Sequence, residues 1–376
     1  MKSVKFILGT QYFVYFGILG LFLPYFNLYC YHLGFSGFEI GILSSAKTLT
    51  TALFPMIWAA LADRFHIRRP IYIFCTFAST AIWALFLLTT DFWAMLAITA
   101  FYGFFYAPII AFLESFSMDL LDQEKTRYGQ LRAWGSLSFV MVVILAGRVI
   151  DAFSTEIIIV LILAGSLIHA LLSINIPPVR QTHQSGFSAG AKTMLNRRVV
   201  IFLICAFLML ASHGTYYGFF SIHMENLGFS GTFIGVAWAL ASISEIFVMV
   251  NSQRILKRFS YENILIFSFI VAVMRWVMLF YATSALVILF AQVLHAMTYG
   301  AFHVASILYM DQLTPTEAKT LGQAVNNAVT YGFGIMAGFL LNGYYFDILG
   351  APLLFLISAA MAFCGGVLLM FNKTKN

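Results

Sequence analysis

Apolar residues run almost unbroken through segments of roughly twenty to thirty residues, each long enough to cross a bilayer core. Short polar stretches separate them. The pattern predicts helices over 5–31, 38–62, 71–89, 92–119, 129–152 and 155–176 in the first half. The second half gives 199–225, 231–255, 261–281, 284–311, 321–346 and 350–371. An outer-membrane barrel would instead alternate apolar and polar positions over about 10 residues per strand. The expectation is an all-α integral membrane protein with twelve transmembrane helices. The longest polar stretch, 177–198, holds Pro177, Pro178, Arg180, Lys192, Arg197 and Arg198. It divides the chain into an N-terminal six-helix bundle (1–176), a cytoplasmic linker (177–198) and a C-terminal six-helix bundle (199–376).

Composition excludes a soluble globular class. Of 376 residues, 61% are apolar and 10% charged, where soluble domains carry about 25% charged residues. Little chain is left for a water-soluble catalytic domain. The net charge of +6 does not point to nucleic acid, because its distribution follows the membrane. The N-terminus, the even-numbered loops and the C-terminus hold 17 of the 21 Lys and Arg residues, including Lys125, Arg127, Lys373 and Lys375. Positive residues gather on the cytoplasmic side, so both termini are expected there, in the cell membrane. The first apolar run is too long for a signal-peptide core and reads as a retained helix. Cys30, Cys75, Cys205 and Cys364 are scattered with no metal or redox spacing and read as buried spectators. No metal or cofactor is expected.

The halves repeat. Leu33-Gly34-Phe35-Ser36-Gly37 recurs as Leu227-Gly228-Phe229-Ser230-Gly231, and at the same offset of 194 Ile40-Gly41 matches Ile234-Gly235. Arg64-Phe65 likewise matches Arg258-Phe259, and Gly147 and Asp151 match Gly343 and Asp347 at an offset of 196. Parallel six-helix repeats with a midplane substrate site at their interface describe a class of secondary transporters.

The stretch Ala59-Ala60-Leu61-Ala62-Asp63-Arg64-Phe65-His66-Ile67-Arg68-Arg69 resembles the signature loop of the major facilitator superfamily, G-x-x-x-D-R-x-G-x-R-R. Ala59 and His66 stand where that loop has glycines. The resemblance implies the major facilitator fold and a cytoplasmic gating loop made by Asp63, Arg64, Arg68 and Arg69. A narrower likeness is to the phenylpropionate permease branch, related to the oligosaccharide and nucleoside proton symporters. It is carried by Tyr128-Gly129-Gln130-Leu131-Arg132-Ala133-Trp134-Gly135-Ser136 and by Leu294 to His303. Lactose permease is a more distant comparison. Its sugar-binding Glu and Arg of helices 4 and 5 lie 18 residues apart, as do Glu114 and Arg132. Its Arg and His of helices 9 and 10 lie 20 apart, as do Arg275 and His295. Its proton-carrying Glu, three residues after that His, is Thr298 here, and its helix 7 Asp and helix 11 Lys pair is missing.

An ionisable group at the bilayer centre costs about 2.5–3.5 kcal/mol, so it rarely faces lipid. Glu114 and Arg132 therefore read as a cavity-facing pair across helices 4 and 5, or as a structural salt bridge. Trp134 and Phe139 add an aromatic wall. Helix 10 carries a stripe of Gln292, His295, Tyr299, His303 and Ser306 at spacings of three and four. Arg275 either pairs with His295 or meets a substrate carboxylate. Glu245, on helix 8 with Trp238 and Ser242, is a further candidate proton carrier. Asn326 lies on a polar face of helix 11 that either binds solute or packs between helices. Lys47 either snorkels outward or joins Ser44 and Thr51 on a cavity face. Substrate binding thus falls to Arg132, Glu114, Trp134, Phe139, Arg275, His295, Asn326 and Lys47, and proton coupling to Glu114, Glu245 and His295.

No phosphate-binding loop suggests ATP as the energy source. The sequence points to a monomeric secondary transporter in the lipid bilayer, coupling a small-molecule substrate to protons by alternating access. An aromatic monocarboxylate such as 3-phenylpropionate suits the cations and rings. The alternative is a sugar or nucleoside symporter, held by hydrogen bonds to Glu114, Arg132 and Asn326. A membrane enzyme finds no H-E-x-x-H or G-x-S-x-G string to support it. A non-transporting receptor is the remaining class.

Overall fold

The computed structural model describes residues 2–121, 128–178 and 196–372. Arg180, Lys192, Lys125, Arg127, Lys373 and Lys375 lie outside the described residues. Among those described, every regular element is helical: α1 (Lys2–His32), α2 (Gly37–Phe65), α3 (Arg68–Ala84), α4 (Phe92–Leu121), α5 (Tyr128–Ala152) and α6 (Ile157–Ser173). Then come α7 (Arg197–Asn226), α8 (Gly231–Leu256), α9 (Tyr261–Tyr281) and α10 (Ala285–Leu313). The last stretch, Lys319–Phe371, runs 53 residues. It breaks at Gly350, whose φ of 73° and ψ of 161° lie outside the helical region, leaving arms α11 (319–349) and α12 (351–371). Ten of the described helices are long and apolar enough to cross a membrane, counting that stretch once, and α6 is a shorter apolar helix.

The repeated Leu-Gly-Phe-Ser-Gly string is a helix stop followed by a helix start. Gly34 and Gly228 take φ of 84° and 85°, the left-handed conformation that ends a helix without a Cβ clash. Ser36 and Ser230 are N-caps: their hydroxyls accept from the amides of Glu39 and Phe233 at 3.3 and 3.2 Å. In the first copy Glu39 reaches back to accept from the Ser36 amide at 2.8 Å, completing a capping box.

The first amide of each of these helices turns to a distant carboxylate. Gly231 and Thr232 donate to Asp151 at 2.6 and 2.8 Å, and the Thr232 hydroxyl adds a bond at 2.6 Å. Gly37 donates to Asp347 at 2.9 Å. Each Asp thereby supplies negative charge to a helix N-terminus. The glycines one turn earlier let the backbones touch. A Cβ on Gly147 would lie 2.1 Å from the Gly231 oxygen, and one on Gly343 2.6 Å from the Gly37 oxygen. The matched Gly147/Gly343 and Asp151/Asp347 positions are therefore the receiving surfaces for the matched helix starts.

These clasps shape how the chain clusters. Unit 1 comprises Met1–Phe35, Ile42–Gln184 and Gly228–Ala239; unit 2 comprises Ser36–Gly41, Ser185–Leu227 and Leu240–Asn376. The units differ from a simple division at the linker by exchanging the first turns of α2 and α8, the turns that the aspartates hold. Within unit 1, α1 packs along α5 and α6, and α3 along α4. Within unit 2, Gly214 of α7 meets Gly338 of α11, and Gly366 of α12 meets Phe269 of α9. Large apolar side chains such as Leu88, Phe247, Val250 and Leu286 are exposed, as lipid-facing residues are. Cys30, Cys75 and Cys205 are buried as expected, but Cys364 is exposed, on the outward face of α12. Its apolar neighbours in sequence signal lipid contact there rather than burial.

Replacing Gly147 by Ala forces a methyl against the Gly231 backbone and the Tyr25 hydroxyl and is expected to cost about 1–3 kcal/mol, as overpacking does. Thermal unfolding in detergent should show a lower midpoint, and an unchanged midpoint would rule out the close approach.

Candidate functional site

Unit 2 buries a cation. Arg275, on α9, is 0% exposed. Its Nε donates to the Ala291 carbonyl at 2.9 Å, one terminal nitrogen to His295 Nδ1 at 2.7 Å, and the other to Gln292 Oε1 at 3.3 Å. The Thr298 hydroxyl lies 3.3 Å from the nitrogen that meets His295. The rings of Tyr216 and Trp276 lie 4.4 and 4.6 Å from the guanidinium carbon. Of the two alternatives for Arg275, the structure shows the pairing with His295.

That contact fixes the imidazole. A guanidinium only donates, so Nδ1 of His295 is an acceptor and the ring hydrogen sits on Nε2. Nε2 lies 2.7 Å from Glu245 Oε1, so it donates to that carboxyl group. The result is a chain Arg275→His295→Glu245 from α9 through α10 to α8. The Glu245 backbone lies in van der Waals range of Gly300 on α10: a Cβ built there would be 3.5 Å from the Glu245 Cα.

The α10 stripe does not follow a plain α-helix. Ala296–Ala301 winds as a π-helix, and so does Ala328–Gly334 in α11. In an α-helix every fourth residue drifts by about 40°; a π-turn holds an extra residue and takes up that drift. His295, Tyr299 and His303 consequently form a column of rings, with centroids 5.3 and 6.2 Å apart and planes 26° and 5° from parallel. His303 Nδ1 is hydrogen-bonded to the Tyr331 hydroxyl in the α11 π-segment. Asn326 is buried beside Ser306 and Thr330. His213 donates from Nδ1 to the Met209 carbonyl at 2.8 Å, and its Nε2 is buried without a partner.

Unit 1 holds its cations differently. Arg132 and Glu114 make no ion pair among the described residues. Glu114 accepts from the Tyr128 hydroxyl at 3.3 Å, while Arg132 lies 3.8 Å from the Phe16 ring centre and 5.9 Å from that of Tyr12. Equal spacing to the lactose permease pair does not bring the two side chains together here, because Tyr128 and the α1 rings stand at the contacts. Lys47 lies 3.1 Å from the centre of Phe22, with no carboxylate within ion-pair distance among the described residues. Rings connect the two cations. Phe22 touches Trp83, which touches Tyr102; Tyr102 stacks on Tyr106, Tyr106 on Tyr15, and Tyr15 meets Phe16. The Tyr106 hydroxyl and Gln11 Nε2 are buried without hydrogen-bond partners among the described residues. Trp134 is 51% exposed and lies over Gly9, whereas Phe139 is buried against Gly20.

The loop between α2 and α3 is tied to its own unit. Arg68 pairs with Asp63 at 2.7 Å and with Asp119 at 3.5 Å. Arg69 donates to the carbonyls of Ile174 and Ile176 beyond the end of α6, a favourable place for a cation. Arg64 is exposed beside the Phe65 ring. His66, which stands at a glycine position of the signature, has φ of 55°, the left-handed region that costs an L-residue about 1–2 kcal/mol.

Sequence reasoning did not place Gln11, Tyr72, Tyr106 and His169 at a site, although the Tyr72 hydroxyl donates to Gln11 at 2.8 Å and lies 3.3 Å from His169. They come from four different helices and share no spacing that could have flagged them.

With this geometry in hand, relatives become informative. A sequence model of the MFS_1 like family matches residues 6–357. The chain belongs to this family, within the major facilitator superfamily. It is 28% identical over 353 residues to an Escherichia coli (strain K12) protein named "Probable 3-phenylpropionic acid transporter", covering 91% of each chain. It is 23% identical over 358 residues to the maltose permease of Geobacillus stearothermophilus, covering 91% of this chain and 88% of that one. The crystal structure of the nucleoside transporter NupG matches its fold with a TM-score of 0.89 at 19% identity, covering 99% of this chain and 100% of that one. The chain is a multi-pass membrane protein of the secondary transporter class, not an enzyme, and small molecules are its substrates.

The two arginines should separate in stability. Arg275→Met strands the Ala291 carbonyl, His295 Nδ1 and Gln292 Oε1, and is expected to cost about 3 kcal/mol or more. Arg132→Met loses ring contacts worth about 1 kcal/mol. Thermal unfolding of both variants checks this, and equal losses would contradict it.

Proposed function

We propose that the chain is a proton-coupled symporter of an aromatic monocarboxylate, of which 3-phenylpropionate is the first candidate. The observation that carries the substrate class is the pair of unit 1 cations, Lys47 and Arg132. Both lie against aromatic rings and neither has a carboxylate partner within ion-pair distance among the described residues. A cation is rarely left so inside a membrane protein; an arriving carboxylate supplies the missing charge while an aromatic body adds to the ring ladder. Arg275 is not that cation, since its donors are taken. The name of the Escherichia coli relative supports the same class. In unit 2, Glu245 is the proton carrier, with His295 donating to its ionised form. Glu114, without a cation partner among the described residues, is the second carboxylate able to take up a proton or bind solute.

The proposed topology is twelve crossings in two six-helix bundles, 1–176 and 199–376, joined by the linker 177–198, with both termini cytoplasmic. The chain acts as a monomer by alternating access, and Asp63, Arg64, Arg68 and Arg69 belong to its gate. Trp134 and Phe139 buttress α1 beside the rings, and Asn326 holds α10 to α11. A sugar or nucleoside is the second reading, favoured by the maltose permease relative and by Glu114, a carboxylate that already accepts from a hydroxyl, that of Tyr128.

Labelled 3-phenylpropionate is expected to accumulate in proteoliposomes when an inward proton gradient is imposed, and a protonophore should abolish accumulation. Arg132→Gln should raise KM at least tenfold, about 1.4 kcal/mol of binding, without loss of folded protein. Competition by a neutral sugar or nucleoside but not by the acid would transfer the assignment to the second reading.

A further inference from the structure

His295 and His303 flank Tyr299 on α10, and the chemistry of their partners sets them apart. Arg275 cannot accept a hydrogen bond. An imidazolium carries hydrogens on both nitrogens, so a charged His295 would turn an N–H directly at the guanidinium 2.7 Å away. His303 faces a hydroxyl, which donates or accepts as required. With the hydrogen of neutral His303 on Nδ1, donated to the Tyr331 oxygen, Nε2 is an open lone pair. Protonation at Nε2 leaves the Nδ1–H···O bond intact.

Surroundings favour the same residue. His295 is 2% exposed, whereas His303 is part-exposed. The charged and titratable groups facing His303 among the described residues are Glu245 from α8, Tyr331 from α11 and Tyr299 from its own helix. Glu245 is the charged group among them, and it attracts an imidazolium. Gly300 brings the α8 backbone at Glu245 against the π-turn that aligns the column.

We propose that His303 takes up the proton that leaves Glu245, that the Tyr331 hydroxyl is the positioning group for this step, and that His295 stays neutral throughout. In the transfer the Glu245 O–H bond breaks to give a carboxylate, and an N–H bond forms at His303 Nε2 to give an imidazolium. The proposal rests on Glu245 as the proton carrier.

Histidine-selective 15N NMR of the full chain in lipid tests it without any substrate. The resonance absent from His303→Gln should titrate between about pH 5 and 8. Another resonance, absent from His295→Gln, should keep the neutral Nε2–H signature across that range. In Tyr331→Phe the His303 midpoint should move acidward by about half to one pH unit, because the bond to the hydroxyl is stronger from the imidazolium than from the neutral ring. In proteoliposomes, His303→Gln should lose gradient-driven accumulation of 3-phenylpropionate at least tenfold while keeping substrate exchange at equal pH. A titrating His295 beside a silent His303 overturns the proposal. So does wild-type accumulation by His303→Gln, or its loss of exchange together with accumulation, which marks a structural role. Uptake by the unaltered chain that ignores the proton gradient brings down the coupling reading itself, a result distinct from any of these.

Discussion

A guanidinium buried away from water must hand its N–H groups to acceptors, and it can accept nothing in return. In unit 2 that constraint propagates outward from Arg275. The Ala291 carbonyl and Gln292 Oε1 take two of its donors, drawing α10 against α9. His295 takes a third on Nδ1, and this orients the ring so that Nε2–H meets Glu245 on α8. A Lys at position 275 would not reproduce the effect, because its three donors radiate from one nitrogen and lack the planar fork that spreads over the Ala291, Gln292 and His295 acceptors. The orientation of the carboxyl group thus depends on an arginine that never touches it.

Unit 1 follows a different rule. Its cations are held by quadrupoles of aromatic rings and not by acceptors. Ring faces stabilise a positive charge without neutralising it, which leaves the local field positive. The Tyr15–Tyr106–Tyr102 stack and Trp83 extend that surface from Arg132 toward Lys47. Such an arrangement discriminates by charge sign before it discriminates by shape, so an anion gains what a neutral solute of the same size does not.

The helices were legible because lipid demands long apolar runs, and the ends of α1, α2, α7 and α8 because glycine and serine act locally. The repeated Gly147–Asp151 and Gly343–Asp347 pairs were visible as a match, but their role was not. A helix start that is capped from 80 positions upstream or 310 downstream leaves no local trace. The candidate charges were legible one by one, since an embedded ionisable residue is conspicuous. Their partners were harder. The spacing of Arg275 and His295 did foretell a contact, while the spacing of Glu114 and Arg132 did not, because Tyr128 and Phe16 compete for the same atoms. The π-turns escaped because a lone glycine such as Gly300 does not distinguish a π-turn from an ordinary α-helical turn. Cys364 escaped because lipid and protein interior look alike to an apolar sequence.

Duplication explains the frame and leaves the chemistry free. The two copies agree where backbone geometry is at stake: a left-handed glycine, a serine cap, an aspartate on the next helix start. They diverge where ionisable groups sit. Unit 2 pairs Arg275 with an acceptor chain ending on Glu245, whereas unit 1 keeps Lys47 and Arg132 on rings, with Glu114 accepting from a phenol. Identical charged arrays would ask both copies to bind the same group. On the proposed reading, a cationic surface on rings in one unit and an array ending on a carboxyl group in the other let substrate charge and proton be handled by different residues. In that division, stability at Arg275 and affinity at Arg132 can vary independently, even though the same residue type serves both.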